Sequence, residues 1–151
     1  MRIAAEIRRA LPSDAEQISR AIVRALRETS GRDYPAHVIE AVAENFSPER
    51  VAEKFAVRRA YVAIVDGAVV GTASLDGRVI RCVYVDPTYQ GKGIGTRLMD
   101  VLEGVAREQA VSTLSVPSSI TAEGFYRSLG FVFVRDQFNG DERTIIMKKD
   151  I

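Results

Sequence analysis

The sequence predicts an α+β domain built on a mixed sheet, and three observations predict it. Ile18, Ile22, Ala25, Leu26 and Thr29 recur at the period of a helix, as do Ile94, Leu98, Val101, Leu102 and Val105. Between those helices lie three β-rich runs, residues 61–65, 68–75 and 79–85, separated by Asp66-Gly67 and Asp76-Gly77. Asp-Gly marks a tight hairpin, because glycine accepts the positive φ that the turn requires, so the runs form an antiparallel meander. A strand, a short helix and two more strands follow the later helix, giving the segregated order of an α+β sheet.

Each element has its own signal. Residues 2–9, with Ile3 and Ile7, read as the first strand. Ser13 and Glu16 have capping-box spacing, in which each side chain satisfies an amide at the helix start, and Gly31 ends that helix. Val38, Ile39, Val42 and Phe46 mark a second helix. Ser47 and Pro48 open a third, as N-cap and first helical residue, with Val51 and Phe55 on its buried face. After the meander, a helix covers residues 92–107 and a strand residues 112–116. Pro117-Ser118-Ser119 leads into a short helix with Phe125, Tyr126 and Leu129, stopped by Gly130. Residues 131–134 and 144–147 close the chain as strands around Asn139-Gly140. Nothing divides the order, so residues 1–151 read as one domain.

Composition narrows the function. Of 151 residues, 46% are hydrophobic and 27% charged, which is ordinary for a folded domain. Twenty-one basic residues against 20 acidic ones leave a net charge of +1, and no global electrostatic reason to expect nucleic acid. Cys82, the single cysteine, excludes an intramolecular disulfide and reads as a buried, inert thiol. His37, the single histidine, cannot build a multi-histidine metal centre, so no metal is expected. The N-terminal stretch carries charge throughout and lacks the apolar core of a signal peptide, and no run approaches a membrane span. A cytoplasmic location and no membrane partner follow.

Residues 90–95, Gln-Gly-Lys-Gly-Ile-Gly, lie between a strand and a helix N-terminus. The first amides of a helix lack partners and carry the positive end of its dipole, and glycines let a ligand approach them. The loop is either a tight connection or an anion cradle. It matches neither familiar nucleotide loop: Lys92 is followed by Gly93 rather than Ser or Thr, and the glycines fall at 91, 93 and 95 rather than at GxGxxG spacing. Gln90, Gly93 and Gly95 instead match Q/R-x-x-G-x-G/A. Ser119, Ala122, Phe125, Tyr126, Gly130 and Phe131 match N/S-x-x-A-x-x-F-Y-x-x-x-G-F. In that pair of motifs, and in element order from Arg2 to Lys148, the chain resembles the GNAT superfamily of N-acetyltransferases.

The resemblance implies acetyl-CoA as co-substrate and transfer of its acetyl group to a primary amine of a small molecule or peptide, by direct attack in a ternary complex. It implies that the backbone of Val83, Tyr84 and Val85 holds the pantetheine arm and an oxyanion. The amides of Gln90, Gly91, Lys92, Gly93, Ile94, Gly95 and Thr96 would then cradle the pyrophosphate. The Lys92 side chain either adds charge there or is a solvated surface lysine. Ser119 contacts the pantetheine, caps a helix, or does both. Tyr126 is either a core aromatic or the general acid that protonates the departing sulfur. Some family members carry a glutamate on the strand before the loop; here Arg78-Val79-Ile80-Arg81 holds no carboxylate. Asp33, His37, Glu40 and Glu44 border the region of the acceptor cleft and are candidate bases or acceptor contacts, or plain surface residues. Strand alternation puts Arg81 on the face of Val83 and Val85, where a guanidinium suits an anionic acceptor group, unless it pairs within the sheet. The resemblance also admits a homodimer, and a non-catalytic CoA-binding regulatory module is the rival reading.

Overall fold

The computed structural model describes residues 3–151. Strands β1 (Glu6–Arg9), β2 (Arg59–Val65), β3 (Ala68–Asp76), β4 (Val79–Val85), β5 (Thr113–Ser118), β6 (Val132–Asn139) and β7 (Glu142–Asp150) form one sheet in the order β1-β2-β3-β4-β5-β7-β6. All neighbours are antiparallel except β4 and β5. The mixed sheet is the one expected, with its closing strands longer than the apolar runs alone suggested. Of the expected first strand, Arg2 lies outside the described residues, and pairing begins at Glu6.

Helices cover both faces. Helices α1 (Ala15–Glu28), α2 (Ala36–Ala43) and α3 (Pro48–Phe55) lie on one face, where Ile18, Ile22, Leu26, Ile39, Phe46 and Val51 pack on Val62 and Val69. Helices α4 (Ile94–Glu108) and α5 (Glu123–Ser128) lie on the other, where Leu98, Met99 and Leu102 pack on Ala63, Ala73, Leu75, Ile80 and Leu114. Val62 and Ala63 are adjacent in β2 and serve opposite cores, the two-residue period of a strand buried on both faces.

Local chemistry departs from expectation at the helix ends. At the start of α1 no side chain caps the helix, neither the Ser13–Glu16 pair nor Asp14; the Asp14 carboxylate instead anchors the preceding turn, where Leu11 N–H donates to its Oδ2 at 2.7 Å and Arg8 donates to both of its oxygens at 2.8 and 3.0 Å. Asp14 takes that place because the strand before it supplies a cation, whereas Ser13 is exposed. Helix α1 ends at Glu28, and Gly31 sits in a following 3₁₀ turn, Ser30–Arg32. Phe46 lies in another such turn, Glu44–Phe46, rather than in α2. At α3 the expected cap is present, with Arg50 N–H donating to Ser47 Oγ at 3.3 Å.

Two irregularities in β4 open the sheet. Ser74 pairs with Arg81 and Thr72 with Tyr84, so Cys82 and Val83 together face one residue of β3. Cys82 sits at the bulge with φ +54°, a left-handed conformation uncommon for a non-glycine residue. The extra residue inverts the alternation downstream. Arg81 therefore shares a face with Cys82's neighbours on the α1 side, while Val83 and Val85 pack against the α4 core. The expected common face of Arg81, Val83 and Val85 does not exist. Before the bulge β4 already leaves its parallel partner: β4 and β5 are in register at Val79 and Ser115 alone.

Candidate active site

The gap left by the parted strands is a cavity of about 350 Å³. Val83, Tyr84 and Val85 form one wall and Ser119, Ala122 and Phe125 the facing wall. The start of α4 and the end of α1 (Ala25, Thr29, Ser30) close its ends. Every glycine-loop residue from Gln90 to Thr96 lines it except Lys92. The Lys92 carbonyl accepts a hydrogen bond from Ile3 N–H at 3.1 Å, which ties the loop to the chain's N-terminal segment.

The loop's shape follows from its residues. Gly91 and Gly93 adopt φ of +73° and +83°, and Gly93 is the residue from which α4 departs. Any side chain there would meet the steric cost of left-handed backbone. Gly95 serves a different end: a Cβ on it would stand 3.2 Å from the Phe125 ring, so glycine lets α4 and α5 close together over the cavity. The helix's first return bond runs from Arg97 N–H to Gly93 C=O at 3.1 Å, leaving the amides of Ile94, Gly95 and Thr96 without helical acceptors. Three adjacent donors at the positive end of a 15-residue helix make an anion cradle.

Side chains from α1 hold this loop. Gln90 Nε2 donates to Val85 C=O at 3.0 Å and to Thr29 Oγ1 at 3.1 Å, so Gln90 braces the loop against strand and helix. Arg24 Nη1 donates to both oxygens of Asp86 at 3.1 and 2.8 Å, and Asp86 Oδ1 accepts from Thr88 N–H at 2.9 Å. Ser119 caps the next turn, accepting from Ala122 N–H at 3.1 Å, while still lining the cavity.

A second chamber of about 100 Å³ adjoins the first, sharing Ser30, Tyr84 and Ser119 with it. Leu26, Val38 and Ile39 give it apolar walls, and Tyr34, Thr144 and Glu142 add polar groups. Tyr34 is a staple: its hydroxyl donates to Arg143 C=O at 2.5 Å and accepts from Ile120 N–H at 2.9 Å. Burial raises its pKa above the ordinary phenol value; the Ile120 bond opposes that, and the Glu142 carboxylate adds to it. Burial likewise pushes the Tyr84 hydroxyl far up, with lesser contributions from Cys82, Tyr126 and Glu142.

Tyr126 is 4% exposed, and its ring stands edge-on to Phe125 and Phe131 at centroid distances of 5.2 and 5.6 Å. It does not itself line either chamber, although Phe125 lines the first. Burial, and secondarily Cys82, raise its hydroxyl well above the ordinary value, so the proton stays on through the physiological range. His37 lines neither chamber; it is exposed and pairs with Asp141 Oδ2 at 2.9 Å. Arg81 stands outside both as well, with Asp76 Oδ2 at 4.0 Å. Asp33 Oδ2 accepts from Thr121 Oγ1 at 2.6 Å, Glu40 is paired with Arg27 at 2.8 Å, and Glu44 is exposed. Among the described residues no cluster of His, Cys, Asp and Glu could hold a metal, and no helix is long and apolar enough to cross a membrane.

Known proteins share this arrangement. The family described as an acetyltransferase (GNAT) domain matches residues 30–150. The uncharacterized N-acetyltransferase YafP of Escherichia coli K12 is 32% identical over 132 residues, which are 87% of this chain and 84% of that protein. The crystal structure of a GCN5-related N-acetyltransferase from Rhodopseudomonas palustris superposes with a TM-score of 0.93 at 28% identity, covering 100% of this chain and 98% of that one. The PaiA N-acetyltransferase of Thermoplasma acidophilum, solved in complex with coenzyme A, superposes with a TM-score of 0.84 at 20% identity, covering 99% and 100%. At that identity the last likeness concerns the fold. By sequence family and by fold, this chain belongs to the GNAT acetyltransferases.

Proposed function

We propose that residues 1–151 act as one acetyl-CoA-dependent N-acetyltransferase, moving the acetyl group directly to a primary amine of a small molecule or peptide in a ternary complex. The observation that carries the reading is the junction of two chambers at Ser30, Tyr84 and Ser119. An enzyme that brings two substrates together needs adjoining sites, since holding reactants in contact supplies much of the rate. The co-substrate lies in the larger chamber and the amine reaches it from the smaller.

The chain's own groups suit that reaction. The cradle of Ile94, Gly95 and Thr96 amides binds the pyrophosphate, and the Val83, Tyr84 and Val85 backbone, released from β5, accepts the pantetheine by strand-like hydrogen bonds. The attacking nitrogen forms its bond to the carbonyl carbon, a backbone amide of the same strand supports the oxyanion, and the carbon–sulfur bond breaks. Tyr126 gives its proton to the departing sulfur; the amine's own proton leaves to water. Burial keeps that hydroxyl protonated, which excludes it as the base; its assignment as the acid rests on its place in the family motif, since it lines neither chamber. Tyr84 is the second reading for the acid, favoured by its place in the walls of both chambers.

A cytoplasmic location belongs to the same proposal and rests on acetyl-CoA as co-substrate. So does a homodimer through edge strand β6, which exposes Val132, Phe133, Val134 and Phe138. Antiparallel pairing of two β6 strands about their centre sets Arg135 opposite Asp136 of the second copy and Phe133 opposite Phe138, and such pairing is two-fold by construction. Sedimentation velocity should give a dimer that Phe138→Lys converts to monomer; a wild-type monomer at the same concentration removes the dimer. The acetyl-transfer reading is tested by calorimetric titration with acetyl-CoA and then by thiol release with an amine panel. Binding followed by amine-dependent release is expected, and absence of binding overturns it.

A further inference from the structure

The second chamber contains one charged side chain, Glu142. Its neighbours in sequence are both engaged away from the chamber: Asp141 pairs with His37 at 2.9 Å and Arg143 with Asp136 at 2.9 Å. Glu142 and Thr144, two residues apart on β7, share the chamber face by strand alternation. Among the described residues no cation pairs with Glu142, although it is half-buried. Its charge reaches both tyrosine hydroxyls of the chamber, Tyr34 and Tyr84. Tyr34 has no proton left to donate to an incoming polar group, because its hydroxyl already donates to Arg143 C=O. The cation next along the strand, Arg143, is held by Asp136, and the carboxylate of Asp33 stands by Tyr34 as well.

A half-buried carboxylate with no cationic partner, in a chamber whose other walls are apolar side chains and neutral hydroxyls, is a receptor for a cation. The chamber is also smaller than the ~150 Å³ cavity that takes benzene, which leaves room for a slim aliphatic chain of about four heavy atoms. We infer that Glu142 is the acceptor-specificity residue, selecting short, unbranched aliphatic amines that carry positive charge and no carboxylate. The inference rests on the acetyl-transfer reading and deepens it. It also reverses the polarity that Arg81 suggested, since Arg81 lies outside both chambers.

Three acceptors matched in chain length provide the test: n-butylamine, putrescine and γ-aminobutyrate, each assayed with acetyl-CoA. Wild type should favour putrescine, whose second ammonium meets Glu142, over γ-aminobutyrate by at least about tenfold in kcat/KM, with n-butylamine between them. Glu142→Gln should shrink that gap to below about threefold, mostly through the amine's KM and with the KM for acetyl-CoA unchanged. Glu142→Asp should keep the preference and Glu142→Lys should invert it, and calorimetric acetyl-CoA binding verifies that each variant is folded. Equal use of γ-aminobutyrate by wild type overturns the inference, as does a gap that Glu142→Gln leaves intact. Acetyl-CoA binding without acetylation of any of the three overturns it too. Failure to bind acetyl-CoA is the distinct outcome that sinks the acetyl-transfer reading and the inference together.

Discussion

At the scale of single residues, two tyrosines compete for the proposed role of acid. Tyr126 is packed between Phe125 and Phe131 and stays protonated, whereas Tyr84 faces both chambers. If Tyr126 is the acid, Tyr126→Phe lowers kcat by roughly 10²-fold with both KM values little changed, and Tyr84→Phe does not. The reverse result in steady-state kinetics transfers the role to Tyr84. Because burial raises the Tyr126 hydroxyl, its ionisation should cause no loss of kcat on the alkaline side up to about pH 10.

Asp14 carries a stability prediction. The hydrogen bond from Arg8 holds its carboxyl below the usual range against the opposing effect of burial, and the Leu11 N–H adds to the lowering. A depressed carboxylate stabilises the fold above its unfolded value of about 3.9, and loses that contribution as pH falls through its folded value. Asp14→Asn should therefore cost about 2 kcal/mol in urea unfolding at neutral pH. The gap should close below about pH 4. A gap independent of pH contradicts the assignment.

At the scale of elements, the glycines of the loop separate backbone need from packing need. Gly93→Ala must place a side chain at φ +83° and should cost about 1–2 kcal/mol while weakening acetyl-CoA binding. Gly95→Ala meets no such backbone penalty; it presses on Phe125 at 3.2 Å and should raise the KM for acetyl-CoA with little change in thermal stability. Thermal melts and kinetics on the two variants distinguish the cases.

What the sequence disclosed at this scale depended on range. The meander, the α4 stripe and the glycine loop were legible because their signals are local: Asp-Gly pairs, a 3.6-residue period, adjacent glycines. The bulge at Cys82 was not, since nothing in Arg81-Cys82-Val83 announces a positive φ, and missing it put Arg81 on the wrong face. The anchoring role of Asp14 was hidden as well, because its partner Arg8 belongs to the preceding strand. The backbone and loop residues carried over from the family motifs did line the larger chamber, Lys92 excepted. Glu142 was missed for a similar reason of range: the Leu26, Val38 and Tyr34 that make its chamber lie more than one hundred residues earlier in the chain.

At the scale of the whole molecule, two departures from regular structure in β4 produce the site. The bulge and the parting of β4 from β5 open a gap in the sheet, α4 points its N-terminus into it, and α1 closes the end through Gln90 and Asp86. The second chamber is then assembled from α1, α2, β4, β5 and β7, which brings α2 together with a strand about one hundred residues later. Free CoA released from acetyl-CoA, followed continuously with a thiol reagent in the presence and absence of a primary amine, tests the proposed activity most directly. Release that depends on the amine, accompanied by the acetylated amine in the mass spectrum, is the predicted result. Tight acetyl-CoA binding with no amine-dependent release across the panel would contradict it, and would make the chain a CoA-binding module rather than a transferase.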